Sequence, residues 1–266
     1  MRLTEGEVAR LYERRGRWDV DRDALLKEAV GRAPMETREG FAYLHLIARP
    51  VVPDEGMLDR ATGETHLGQF LNALISDALK PEFFEPKGMP ELYPDLSAIS
   101  EFRPSPRGWT TRQGFEEEWL SIEGPTRALV LEMGLDGSGY LSCGSVAQEH
   151  EGKLWIYEDQ VARLTVRFLA VLGGLYDAAG YLGPVDVGLA VTGLSGGVSA
   201  ALRHHLILRH SLEPYGGDEY LRTGRFMASV LRDDPKTAAR NLVLPLTRVV
   251  TMEGYNPFPG LDLGPQ

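Results

Sequence analysis

The stretch "TRALVLEMGLDGSGYLSCGSVAQ" constrains this chain more than any other. Two β-forming runs flank Asp136-Gly137-Ser138-Gly139, residues that tolerate positive φ. The pattern predicts an antiparallel hairpin in the middle of the chain, with Asp136–Gly139 at its tip. The longest helical pattern follows at Glu158 to Ala179. Val161, Leu164, Phe168, Leu172 and Leu175 trace one face of it, and Val166, Leu169 and Val171 widen that face, so it should be largely buried. Gly173-Gly174 is expected to loosen its last turns. Upstream, "FAYLHLIARPVV" (Phe41 to Val52) is apolar on both alternating faces, which predicts a strand covered on both sides. "VDVGLAV" reads as another strand, and "GWTTRQGFEEEW" and "EYLRTGRFMASVL" each supply one more. Strands and helices do not alternate in βαβ fashion. The expected class is therefore α+β, a mixed, largely antiparallel sheet with packed helices and a helical N-terminal lead-in.

Residues 1–32 form that lead-in. Thr4-Glu5-Gly6-Glu7 has a capping-box pattern ahead of Val8, Leu11 and Tyr12, and a second short helix covers Asp21 to Val30 with Leu25, Leu26 and Ala29 as its stripe. Residues 33–253 make the α+β domain. Within it, Leu67, Phe70, Leu71, Leu74 and Ala78 predict a helix over 65–79. A proline-rich loop, 81–106, packs on the body or separates two domains; both readings stay open. Asp234 suits an N-cap and Pro235 the first helical position of a final helix. Ala238, Leu242, Leu246 and Val249 form the inner face of that helix, and Pro245 should kink it. Residues 254–266 have the composition of a flexible tail.

The formal net charge of the 266 residues is −10, which opposes phosphate contact and makes a poor stand-alone nucleic-acid binder. The single cysteine, Cys143, excludes an internal disulfide and a multi-cysteine zinc site. No apolar run reaches the roughly 20 residues of a membrane helix, and the charged N-terminus lacks an apolar signal core. A cytoplasmic chain without membrane contact is expected, and no cofactor motif is present.

Chemistry is suggested most directly by "DVGLAVTGLSGGVSAAL" (Asp186 to Leu202). A strand runs into Gly193-Leu194-Ser195-Gly196-Gly197, which fits the G-x-S-x-G nucleophile elbow if a helix follows. Ser195 is then the candidate nucleophile. The elbow, however, belongs to a mostly parallel sheet and takes its histidine from a distant later loop. The only later histidines are His204, His205 and His210, and a helix over Val198 to Leu208 would put His205 about 15 Å along its axis. Alternatively, Gly193, Ser195, Gly196 and Gly197 offer backbone N–H groups to an anion or small ligand. The simpler reading is a tight turn that brings two packed elements close. His204, His205 and His210 are also the candidate metal ligands, with Asp218 or Glu219 completing the set. His45, between Leu44 and Leu46, reads as a hydrogen-bonded core histidine.

Three segments carry a family resemblance. "RLTEGEVARLYERR" (Arg2 to Arg15) resembles the segment that closes the Schlafen-type AlbA-like domain of actinobacterial proteins described as DNA-binding or ATP-binding. "YLHLIARPVV" (Tyr43 to Val52) and "VDVGLAVTGLSGG" (Val185 to Gly197) resemble parts of the long region that follows that domain. The resemblance implies an accessory or regulatory region joined to an upstream AlbA-like domain or partner protein, with nucleic acid reached only through that partner. It implies no reaction and places no binding residue on this chain.

Overall fold

The computed structural model describes residues 23–33, 38–80, 94–99, 101–115, 128–202, 213–251 and 256–258. The lead-in pattern at Thr4–Tyr12, the cluster His204, His205 and His210, Glu116–Glu118 and nearly all of the tail lie outside the described residues.

The hairpin forms where the sequence places it. Strands β4 (Leu129–Gly134) and β5 (Gly139–His150) pair antiparallel, with Met133 opposite Gly139. Asp136 Oδ1 accepts the Ser138 N–H at 2.9 Å, and Gly137 takes φ +79° at the tip. The centre of the sheet is β1 (Phe41–Pro50), antiparallel to β5 on one side and to β7 (Pro184–Thr192) on the other. Its continuous burial from Ala42 to Ala48 explains why the segment is apolar on both faces. Outside β4 lie β3 (Gly108–Gln113) and β2 (Arg103–Ser105), and outside β7 lies β9 (Glu219–Met227). The far end of β5 turns back into β6 (Lys153–Ile156), which pairs in parallel with the two-residue β8 (Val198–Ser199). A largely antiparallel sheet with packed helices is an α+β fold, as the order of elements implies.

One sheet face carries Leu44 and Leu46, Leu129 and Leu131, Leu141 and Cys143, and Val187, Leu189 and Val191 into the main core. Helix α4 (Glu158–Ala178) covers it. Helices α2 (Met57–Thr62), α3 (Leu67–Ala78), α5 (Ala228–Asp233) and α6 (Pro235–Thr251) pack on α4 in turn. This burial on all sides accounts for the widened apolar face. The expected loosening at Gly173-Gly174 does not occur, and α4 continues unbroken to Ala178. A Cβ at Gly173 would lie 2.4 Å from the Leu231 carbonyl oxygen, so this glycine permits α5 to approach. The opposite sheet face is covered in part by helix α1 (23–31). Its Leu25 and Ala29 cluster with Ile47 and Tyr140.

Asp234 caps α6 as expected, its Oδ1 accepting the Thr237 N–H at 3.1 Å. The inner stripe of α6 ends at Val250 rather than Val249, which is 65% exposed, because the i+4 step from Leu246 lands on Val250. Of the proline-rich loop, 94–99 packs on the body, with Leu96 buried in the main core, and β2 joins the sheet. The helix expected from Val198 does not begin there. β8 takes its place, because residues 198–199 pair with Trp155 and Ile156 of β6. Among the described residues no helix is long and apolar enough to cross a membrane.

Candidate functional site

The turn Gly193–Gly197 leaves β7 at the end of the sheet where β6 and β8 meet. Gly193 (φ +78°) and Gly196 (φ +74°) take the left-handed region. A Cβ at Gly193 would stand 2.5 Å from the Phe41 carbonyl oxygen, so backbone approach as well as φ requires glycine there. Three N–H groups of the turn are spent inside the fold. Leu194 donates to the Asp218 carbonyl at 2.9 Å, Gly196 to the Tyr215 carbonyl at 3.0 Å and Gly197 to the Leu194 carbonyl at 2.9 Å. The Gly197 carbonyl accepts the Tyr215 N–H at 2.7 Å. The turn therefore clips the 213–218 segment onto the body. Ser195 itself is exposed, on the rim of an open cleft of about 440 Å³ shared with Glu149, Lys153, Leu154 and Pro214. Among the described residues its hydroxyl has no hydrogen-bond partner, and none of the described histidines reaches it. Among the described residues no group of three or more His, Cys, Asp or Glu can hold a metal ion.

Beside this turn lies a residue that the sequence did not single out. Glu158 opens α4 and is 1% exposed. One carboxyl oxygen accepts the Ala201 N–H at 3.4 Å and the Ser199 hydroxyl, while Oε1 has no donor. Burial pushes this carboxyl up to about 7. In the sequence Glu158 reads as an ordinary acid at a helix start, a position favoured by the dipole whether or not it is buried.

Further along α4, Arg163 and Arg167 point into the interior rather than to solvent. Asp95 bonds to Arg167 and pairs with Arg163 at 3.8 Å. Gln160 accepts from Arg163 and donates through Nε2 to the Pro94 carbonyl at 2.7 Å. Cys143 lies against this group, fully buried, with its thiol pushed up to about 11 by burial, which makes it an unreactive thiol at neutral pH.

Two other polar groups sit on the opposite sheet face. Arg32, Arg49 and Arg107 converge on Glu28 at 3.6, 2.5 and 3.3 Å around a cleft of about 390 Å³, tying α1 to the sheet. His45 Nδ1 lies 3.1 Å from Ser142 Oγ and 3.4 Å from the Tyr140 hydroxyl, and burial lowers the imidazole to about 4. A neutral, hydrogen-bonded core histidine is what its place in β1 implies.

No family model, no curated protein and no solved structure matches this chain.

Proposed function

We propose that this α+β domain is a non-catalytic accessory module that works beside a nucleic-acid-binding AlbA-like domain or partner protein, and meets nucleic acid only through it. The observation that carries the reading is where the cations go. Arg32, Arg49, Arg60, Arg103, Arg107, Arg163, Arg167, Arg225 and Arg232 are all paired with carboxylates of the same chain. Phosphate binding draws on free Lys and Arg charge, and among the described residues these nine arginines already face carboxylates, in a chain of net −10. The 266-residue chain should therefore bind duplex DNA only weakly near physiological salt. Tight binding with a steep salt dependence in a fluorescence anisotropy titration would sink the reading.

The serine hydrolase alternative meets a separate obstacle. An oxyanion hole needs N–H groups aimed at the developing charge, and those of Leu194, Gly196 and Gly197 already serve backbone carbonyls. A broad serine-reactive phosphonate should leave the chain unlabelled. Stoichiometric labelling that disappears in Ser195→Ala would establish Ser195 as a nucleophile instead. The small-ligand-sensing alternative rests on Gly193, Ser195, Gly196 and Gly197, and the open cleft beside that turn is lined by Glu149, Lys153 and Ser195 as well as Leu154 and Pro214.

A further inference from the structure

We propose that strand β9 is an interface between two copies of this chain, paired antiparallel about a two-fold axis at Gly224 so that their sheets run on as one. The inference rests on the sheet edge and does not depend on the accessory-module reading. Among the described residues the sheet ends at β2 on one side and at β9 on the other. The two ends are built differently. β2 is three residues long with Pro104 at its centre, so it offers little to pair with. β9 is nine residues long, holds no proline and no lysine, and pairs with β7 in an unbroken register from Glu219 to Met227. A long edge strand without such protection is a template for another strand. The backbone shows which groups it presents. The Ala228 N–H donates to the Gly183 carbonyl at 3.0 Å, one rung beyond the Met227–Pro184 pair. Antiparallel rungs alternate between bonded and non-bonded pairs. Tyr220, Arg222, Gly224 and Phe226 therefore turn their backbone groups to β7, and Leu221, Thr223 and Met227 turn theirs outward.

The side chains select the partner and the register. Tyr220 and Phe226 pack against the main core, while Leu221 and Met227 lie on the other face, 41% and 47% exposed. A two-fold axis must set outward residues against outward residues, so it passes through a residue position of β9. At Arg222 it would bring that arginine against its own copy, and like charges directly opposite are destabilising. At Thr223 it would set Leu221 against Arg225 and Met227 against Glu219. At Gly224 it sets Leu221 of each copy against Met227 of the other, so the exposed apolar side chains of both strands cover one another. The same register puts Arg222 opposite Phe226, and Thr223 opposite Arg225, whose guanidinium is held by Asp186 at 2.5 Å. The two Gly224 residues meet at the axis, on a closely spaced rung that no side chain crowds. No like charges face each other. β9 carries Arg222 and Arg225 against Glu219, and so does not share the net −10 that holds two copies apart elsewhere.

The test is sedimentation velocity of the whole chain over a concentration series that reaches high micromolar. A dimer of twice 29.4 kDa is expected, dissociating on dilution. Thr223→Pro removes an outward N–H without touching a bond to β7, and should weaken the dimer by about tenfold or more. Leu221→Lys sets a charge on the exposed edge and should also weaken it, and it serves if the proline variant does not fold. Leu221→Lys combined with Met227→Glu places opposite charges face to face on both outer rungs, and should recover affinity relative to Leu221→Lys alone. In the Thr223 register the same two changes would meet Arg225 and Glu219 and weaken the dimer further. Leu135→Lys is the control, 42% exposed at the distant β4–β5 turn, and should dimerise as the parent does. A monomer at every concentration would overturn the proposal. So would a dimer that Thr223→Pro and Leu221→Lys leave unchanged, one that Leu135→Lys weakens as much as Leu221→Lys, or a double variant no tighter than Leu221→Lys.

Discussion

Glu158→Gln should raise the stability of the fold at pH 8 by up to roughly 3 kcal/mol and flatten its dependence on pH between about 4.5 and 7. The folded carboxyl keeps its proton to about 7, against an ordinary value of 4.5. Between those values the unfolded chain has released the proton and the folded one has not. The stabilising contribution is therefore complete below about 4.5 and is lost as the pH rises through about 7. Above that, folding must bury a carboxylate whose Oε1 has no donor. Glutamine removes the charge and keeps an acceptor for Ala201 and Ser199. The gain is an upper figure, because the amide nitrogen then stands where Oε1 lacked a partner. Urea unfolding at pH 5 and pH 8 measures it. Parallel pH profiles for the parent and the variant would show that Glu158 does not hold its proton. The same titration bears on the glycine turn, since Glu158 holds residues 199–201 against the start of α4.

What could be read from the sequence was whatever is encoded locally. The hairpin at Asp136–Gly139 needs only residues that accept its turn, and the Asp234 cap needs only the next three positions. β1 declared its central place because both of its faces are apolar over seven residues. The failures share a cause as well. β8 is two residues long, and its partners are Trp155 and Ile156, far back in the chain, so nothing near Val198 announces a strand. The glycines that resemble a nucleophile elbow are set by the Phe41 carbonyl and by the 213–218 segment, neither of which is adjacent in sequence. Arg163 and Arg167 belong to the same class. In an amphipathic pattern, charges at i and i+4 read as a solvated face. Only the return of 94–99 over α4 turns that face inward. The candidate site is thus less legible than the fold, because each of its polar groups acquires its role from a segment remote in the chain.

Gly173→Val should lower stability by about 3 kcal/mol or more, a fall in midpoint of roughly 6–12 °C for a domain of this size. A side chain at this position has nowhere to go. Its Cβ would stand 2.4 Å from the Leu231 carbonyl oxygen and 2.6 Å from the Arg232 nitrogen, both backbone atoms of α5. Backbone cannot rotate away as a side chain can, so α5 must separate from α4. The cost then spreads, because α5 joins β9 to α6 and buries Ala228 and Leu231 in the main core. Gly174 is the control. It is the next residue of the same helix, but its Cβ would meet only Leu74 Cδ2 at 2.8 Å, the free end of a flexible side chain. Gly174→Ala gains helix propensity of up to about 1 kcal/mol, offset in part by moving Leu74. It should leave the chain at least nearly as stable as the parent. If the two glycines act through helix flexibility, as their adjacency in the sequence implies, both substitutions should stiffen α4 and raise the midpoint. If Gly173 acts through close approach, the two variants move far apart, and thermal unfolding by circular dichroism reads the difference directly. A Gly173→Val midpoint within 2 °C or so of the parent would mean that α4 and α5 do not touch as described.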